Sequence, residues 1–294
     1  MNWNGLLFGL LEMMRPAEWS KTLGNMVIAA LLATTLGFND WVSFVIAFIA
    51  VGPLLWGGLY SLNDWTDWEK DRKHPVKKCR PIPSGRVPPQ IALIFSLSLL
   101  IIAFAIAYFY FSNIYFIICL TAMMINQTLY TMRPFSFKKI AVLDLISGSL
   151  VNPFFRFYSG WVIFQPNFNA PLEMVLFVVA IQFGGYTLYR LASKKQDIEY
   201  GYKSSIVVFP ETIVKGMAYL ATLVAGLAFI YAALTGVIAL RFLILVGLSV
   251  LAAPLYWQAL KDPRKMDMKK VYKLIYLHYS LFILGFILLS YVTF

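Results

Sequence analysis

The chain has 294 residues, of which 60% are hydrophobic and only 13% charged, with a formal net charge of +11. That composition is too apolar for a soluble domain of this length and reads as a polytopic membrane protein with little room for a separate soluble domain. The positive charge gathers in short connections between apolar spans, where it acts as a topology signal, and this argues against nucleic acid as a partner.

In chain order, Met1 to Met14 is amphipathic, with Trp3, Leu6, Leu7, Leu10 and Leu11, and lacks a basic stretch ahead of an apolar core. It predicts a helix over residues 1–20 lying on the membrane, not a cleaved leader. Nine apolar stretches long enough to cross a bilayer follow, at 22–38, 42–64, 90–111, 113–131, 140–163, 171–192, 212–233, 237–258 and 272–293. The fifth and sixth carry polar residues. With a cytoplasmic N-terminus, the connections after stretches two, four, six and eight hold Lys70 to Arg86, Arg133 to Lys139, Arg190 to Lys215 and Lys261 to Lys273, which include nearly all the basic residues. Of the 25, only Arg241 lies at the far face and only Arg156 deep within a span. The expectation is an all-α, single-domain protein of the cell membrane. It has about nine transmembrane helices around a central cytoplasm-facing cavity, and its C-terminus is outside. Cys79 falls in a basic loop and Cys119 in a span, so neither a disulfide nor a metal site is expected of them.

Chemistry concentrates where the second stretch ends. If the helix entering from Trp56 continues to Asp71, then Asn63, Asp64, Asp67 and Asp71 fall within roughly one 100° arc, with Trp65, Trp68 and Glu69 pointing elsewhere. Three carboxylates on one face call for a multivalent cation, and oxygen-only ligands favour Mg²⁺. The next residues, Arg72 to Arg86, carry six positive charges suited to phosphate, so metal–diphosphate chemistry at a membrane surface is expected. Three prolines and a glycine stiffen the loop from His74 to Gly85 and make Lys77 and Arg80 fixed donors. His74 is either a ligand or base, or an ordinary loop histidine.

A second wall is expected at the end of the sixth stretch, where Tyr186, Arg190, Ser193 and Asp197 are spaced by four, three and four, as on one helix face. Asp197 would complete the metal site, while Arg190, Lys194 and Lys195 either bind phosphate or meet anionic lipid. Arg156 sits at membrane depth, where a charge costs at least about 2.5 to 3.5 kcal/mol, so it faces a polar cavity and substrate, or pairs with Asp144 three turns away. Aromatic residues in the spans either line a tunnel for an isoprenoid tail or pack against lipid.

These residues resemble the UbiA superfamily of intramembrane prenyltransferases. The likeness rests on Asn63-Asp64-x-x-Asp67-x-x-x-Asp71, on Arg80-Pro81-Ile82-Pro83-Ser84-Gly85-Arg86-Val87, and on Arg15-Pro16-x-x-Trp19-x-Lys21. It implies Mg²⁺-dependent transfer of a polyprenyl group from its diphosphate to a lipid-soluble acceptor. Asn63, Asp64, Asp67, Asp71 and Asp197 would hold the metal. Lys21, Lys77, Arg80, Arg156, Tyr186, Arg190, Lys194 and Lys195 would contact substrate. No obligate protein partner is implied. The second motif departs from the family pattern of two aspartates four apart, because Ser193 stands where the first would be. Glu199 is the alternative carboxylate, but on a helix it lies about 200° from Asp197, so a kink or loop would be needed for it to substitute. The run His74-Pro75-x-Lys77-x-x-Arg80-Pro81-Ile82, with Arg156 and the lysine-rich second motif, is similar to the superfamily's decaprenyl-phosphate phosphoribosyltransferases and implies a phosphoribosyl diphosphate donor as the alternative. A transporter is the non-enzymatic reading, disfavoured because the polar residues gather at one face.

Overall fold

The computed structural model describes residues 3–74, 77–132, 134–251 and 268–292, the side chains of 268–273 excepted. The helices are α1 (Trp3–Met13), α2 (Trp19–Ala33), α3 (Phe38–Asp71), α4 (Pro89–Phe111), α5 (Ile114–Thr131), α6 (143–161), α7 (Leu172–Leu191), α8 (Lys194–Glu199), α9 (Ser205–Val208), α10 (Glu211–Leu234), α11 (Leu240–Leu251) and α12 (Met268–Tyr291). Among the described residues no strand forms; an isolated parallel bridge joins Ile140 to Lys203. Six helices, α3, α4, α5, α7, α10 and the 274–291 part of α12, are long and apolar enough to cross a membrane. The other three predicted stretches differ for separate reasons. Helix α2 has 15 residues, α6 is polar and interrupted, and α11 runs into residues outside the described ones.

Local chemistry explains the breaks. Proline at position 53 has no N–H to donate and its ring crowds the preceding turn, and α3 passes it through a wider π-type stretch from Ala50 to Trp56 without ending. Between α4 and α5 the chain reverses at Ser112, which is left-handed (φ 49°), and Asn113 caps α5 by accepting from the Tyr115 and Phe116 amides at 2.9 and 3.3 Å. The polarity of α6 is internal: Asn126 of α5 donates to the Ser147 carbonyl and to Asn152 Oδ1, both at 2.8 Å, satisfying groups that the π-type turn of 147–151 exposes.

Helix α7 packs along α10, α2 along α6 and α12, and α3 on α4. Trp56, Phe44, Phe116, Phe157, Phe229 and Phe286 fill the core. Outward faces carry Ile101, Phe109, Leu172, Leu227 and Leu288, as a lipid-facing surface requires. Helix α1 buries Leu6 and Met13 against Ile82 and Val87, is tied by Glu12 to Arg86 at 2.7 Å, and leaves Trp3, Leu7, Phe8 and Leu11 outward. Cys79 is exposed and Cys119 buried, and no disulfide joins them.

Candidate active site at the end of the aspartate helix

Helix α3 continues unbroken from Gly57 to Asp71, so its i, i+4 and i, i+3 rows set Trp56, Tyr60, Asp64, Asp67 and Asp71 along one side. Asp64 and Asp71 are buried and Asp67 is half-buried. Each has a cationic partner. Asp64 Oδ1 accepts from Arg15 Nη2 at 2.6 Å and from Arg80 Nη1 at 3.2 Å, and the same Arg80 nitrogen is 2.8 Å from Asp71 Oδ2. Lys138 Nζ is 3.0 Å from Asp67 Oδ2, and Lys77 Nζ is 3.9 Å from Asp71 Oδ1. Arg15 reaches Asp64 because the α1–α2 junction turns through it in a left-handed conformation (φ 51°), and its guanidinium also lies 5.1 Å from the centre of the Tyr60 ring.

Asn63 lies on the same arc, one turn before Asp67. Its side chain lines a narrow groove with Thr66, Gln127 and Thr131 between α3 and α5. His74 is a loop staple: its Nδ1 accepts from the Lys77 amide at 3.1 Å, and its Nε2 is 3.4 Å from Gln196 Nε2. Burial pushes the Lys77 ammonium below the ordinary lysine range, against the opposing pull of Asp71.

The second wall corrects the single-helix expectation. Helix α7 ends at Leu191, the chain turns at Ser193, and Asp197 belongs to the separate helix α8. The contacts nevertheless form: Asp197 Oδ2 is 2.6 Å from Arg190 Nη2 and accepts from Ser204 Oγ at 2.5 Å, while Arg190 also reaches Ser193 Oγ at 3.3 Å. Asp144 does not pair with Arg156. It accepts from the Ser205 hydroxyl at 2.5 Å and the Ser205 amide at 3.1 Å, and lies 3.7 Å from Arg190 Nη2. Tyr186 and Tyr130 share a hydroxyl–hydroxyl bond of 2.7 Å, with Tyr186 seated on Gly148. Lys194 is half-buried and Lys195 exposed; neither forms an ion pair among the described residues. Glu199 points outward, into an open groove with Glu69, Lys70, Lys73 and Tyr200. The two walls meet there: Lys70 donates to the Tyr202 hydroxyl at 3.1 Å and lies 4.3 Å from the Tyr200 ring centre.

Lys21 bonds Glu18 at 2.8 Å and lies over the Tyr276 ring. Burial alone would raise the Glu18 carboxyl, but Lys21 holds it below the usual carboxylate range. Arg156 is buried and lies 3.9 Å above the Trp56 ring centre.

The donors fit Mg²⁺ in chemistry. All are oxygen, and a cation already bridges Asp64 and Asp71 in the form of the Arg80 guanidinium. Asp64 Oδ2, Asp67 Oδ1 and Asp197 Oδ1 carry no hydrogen bond among the described residues. No group of three or more His, Cys, Asp or Glu side chains is gathered around one point among those residues, so no all-protein cage exists. Mg²⁺ needs none, being commonly held by one or two carboxylates together with substrate phosphates. Sequence reasoning missed Lys138, Ser204 and the role of Asp144, which no motif marks.

Comparison with known proteins gives the same frame. A decaprenyl-phosphate phosphoribosyltransferase of Mycolicibacterium smegmatis is 32% identical over 154 residues, 50% of this chain and 46% of that protein, so the chain spans about half the length of that relative. A 4-hydroxybenzoate octaprenyltransferase of Francisella tularensis is 29% identical over 205 residues, 69% of this chain and 68% of that protein. Among solved structures, a UbiA homolog from Archaeoglobus fulgidus bound to DMAPP and Mg²⁺ superposes with a TM-score of 0.72 at 17% identity, covering 96% of this chain and 99% of that one. The model of the UbiA prenyltransferase family matches residues 25–289, and the chain therefore belongs to that family.

Proposed function

We propose that this protein is a Mg²⁺-dependent transferase. It takes a polyprenyl group from its diphosphate and passes it to a lipid-soluble acceptor within the membrane. The observation that carries the reading is the face of Asp64, Asp67 and Asp71, each neutralised by a basic residue from another segment. A carboxylate stripe for a metal, interleaved with Arg15, Lys77, Arg80 and Lys138, suits an anionic donor with several oxygens. In this reading the chain crosses the bilayer nine times with its N-terminus and both motifs on the cytoplasmic side, which the distribution of basic residues supports.

Bound Mg²⁺ would neutralise and polarise the diphosphate leaving group. Arg15, Arg80 and Lys77 turn from their carboxylates to the phosphate oxygens, so charge is exchanged instead of newly exposed. Arg190, held by Asp197 and Asp144, adds a donor from the opposite wall, and Lys194 flanks it. The Lys70–Tyr200–Tyr202 contact ties the two walls together at the rim of the site. The C–O bond breaks with its electron pair departing on the diphosphate, the Tyr60 face stabilises the electron-poor carbon, and the acceptor attacks it and releases a proton.

A second reading, phosphoribosyl transfer to a polyprenyl phosphate, is favoured by a specific observation. The phosphoribosyltransferase relatives match at 32–36% identity, and the second wall has Ser193 where a second carboxylate would stand, followed directly by Lys194 and Lys195. Purified protein incubated with Mg²⁺ and lipid extract, and with labelled geranylgeranyl diphosphate or labelled phosphoribosyl diphosphate in separate reactions, separates the two. The label that enters a new lipid-soluble adduct identifies the donor; with neither incorporated, both readings fail.

A further inference from the structure

The two walls differ in what their carboxylates still offer. On the first, Asp64 Oδ2 and Asp67 Oδ1 accept no hydrogen bond among the described residues. The cations beside that wall reach the surface: the side chains of Arg15, Arg80 and Lys77 are 33%, 30% and 32% exposed. On the second wall, Asp144 Oδ1 accepts from the Ser205 hydroxyl, and Oδ2 accepts from the Ser205 amide and faces Arg190. Asp197 Oδ2 holds both Arg190 and the Ser204 hydroxyl, which leaves Oδ1 uncommitted among the described residues. Ser193 is engaged as well: its Oγ donates to the Arg190 carbonyl at 2.8 Å and accepts from Arg190 Nη1 at 3.3 Å.

Arg190 is fixed where the first-wall cations are not. Its side chain is 13% exposed, and it is gripped from α6, from α8 and from the turn between α7 and α8. The grip is itself anchored. Asp144 is fully buried and follows two residues after Val142, whose φ of 71° is strained for a β-branched side chain. The Val142 N–H donates to Ser205 Oγ at 2.7 Å, so the hydroxyl that meets Asp144 also holds the turn that aims it. Withdrawing Arg190 from this nest would leave two buried carboxylates, Asp144 and Asp197, without their cation, a far larger penalty than turning a half-exposed arginine.

We propose that the second wall is a metal-free phosphate clamp, in which Arg190 supplies as a fixed charge what a second divalent ion would supply, and that the donor diphosphate is bound with a single Mg²⁺ on the first wall. This rests on reading the aspartate stripe as the donor-diphosphate site and deepens it by fixing the number of ions. A divalent ion at the second wall would find one uncommitted oxygen, Asp197 Oδ1, on a carboxylate that a guanidinium already neutralises at 2.6 Å. Arg190 keeps donors for phosphate oxygens: its Nε has no hydrogen-bond partner, and Nη1 carries a second hydrogen beyond its bond to Ser193. Asp144 and Asp197 are then positioning residues, which act on the substrate through Arg190 and not through a metal.

The test counts ions. The full chain in neutral-lipid nanodiscs is equilibrated with saturating inorganic diphosphate and with Mn²⁺, which replaces Mg²⁺ and is followed by electron paramagnetic resonance. Wild type is expected to take up one Mn²⁺ for each diphosphate bound, and Asp67→Asn should lose that ion. Asp197→Asn should keep it with unchanged affinity, while binding diphosphate more weakly because Arg190 has lost a partner. Arg190→Gln should weaken diphosphate binding by about tenfold or more with the ion count still at one, and Arg190→Lys should recover part of the loss. The proposal is overturned if wild type takes up two Mn²⁺ per diphosphate, if Asp197→Asn weakens Mn²⁺ binding as much as Asp67→Asn does, or if Arg190→Gln binds diphosphate as wild type does. The wild-type count needs no variant and decides the question even where a substitution prevents folding. Diphosphate binding with no Mn²⁺ taken up would instead remove the metal reading of the aspartate stripe, an outcome distinct from a count of two.

Discussion

Arg80 Nη1 stands between Asp64 Oδ1 and Asp71 Oδ2, at 3.2 and 2.8 Å, so a loop cation joins two carboxylates seven residues apart on α3. The loop's prolines bring it back over the helix end, where repulsion between the two anions is converted into a shared ion pair.

If the stripe holds Mg²⁺ against a diphosphate, Asp64→Ala and Asp67→Ala should each lower transfer by at least about a hundredfold while the protein remains inserted and monodisperse. Chelation of wild type should cause the same loss, and Mg²⁺ should reverse it. Transfer assays paired with size-exclusion chromatography check this; wild-type turnover in either variant rules out the metal role.

Asp144 is fully buried and bonds the Ser205 hydroxyl and amide, joining the start of α6 to the start of α9 beside Arg190. Removing it orphans those donors and leaves Arg190 with Asp197 alone. Asp144→Ala should destabilise the protein by about 3 to 5 kcal/mol, read as a lowered thermal midpoint in detergent.

Gly160 of α6 lies against the backbone of Met26 in α2, and a Cβ there would collide with the Met26 carbonyl. Backbone cannot swing aside as a side chain can, so Gly160→Ala should cost about 1 to 3 kcal/mol. Gly185, which has open space around it, is the control: Gly185→Ala should leave the thermal midpoint nearly unchanged.

The Lys77 ammonium is held below the ordinary lysine range by burial. A base with a depressed pKa loses its positive charge earlier as pH rises, so kcat/KM for the diphosphate donor should fall on the alkaline side below the point expected for a free lysine. Lys77→Arg keeps the charge throughout and should move that limb to higher pH. A pH–rate profile with both proteins tests it, and coincident limbs exclude Lys77 as the titrating group.

Much of the site was legible because its logic is local. Asp64, Asp67 and Asp71 lie on one continuous helix, whose 3.6-residue period places their directions in advance, and Arg80 lies nine residues further on in a stiffened loop. The spacing of Tyr186, Arg190 and Asp197 suggests one straight helix; instead α7 stops at Leu191, and the turn at Ser193 brings Asp197 of α8 back to Arg190. Lys138, Ser204 and Asp144 carry no such mark, since their partners lie 71, 7 and 61 residues away and are reached through α5, α6 and the loop before α9.

The sequence alone determined that this is an all-helical membrane protein with an acidic stripe facing a basic loop, because hydropathy and helical periodicity act over short stretches of chain. Tertiary structure decided which cation neutralises which carboxylate, that Asp144 serves Ser205 and Arg190 and not Arg156, and that Arg156 is left over Trp56 with donors to spare. Charge pairing depends on distance in space, and residues as far apart as Arg15 and Asp64, or Lys21 and Tyr279, acquire that distance only when α2, α3, α6 and α12 pack together.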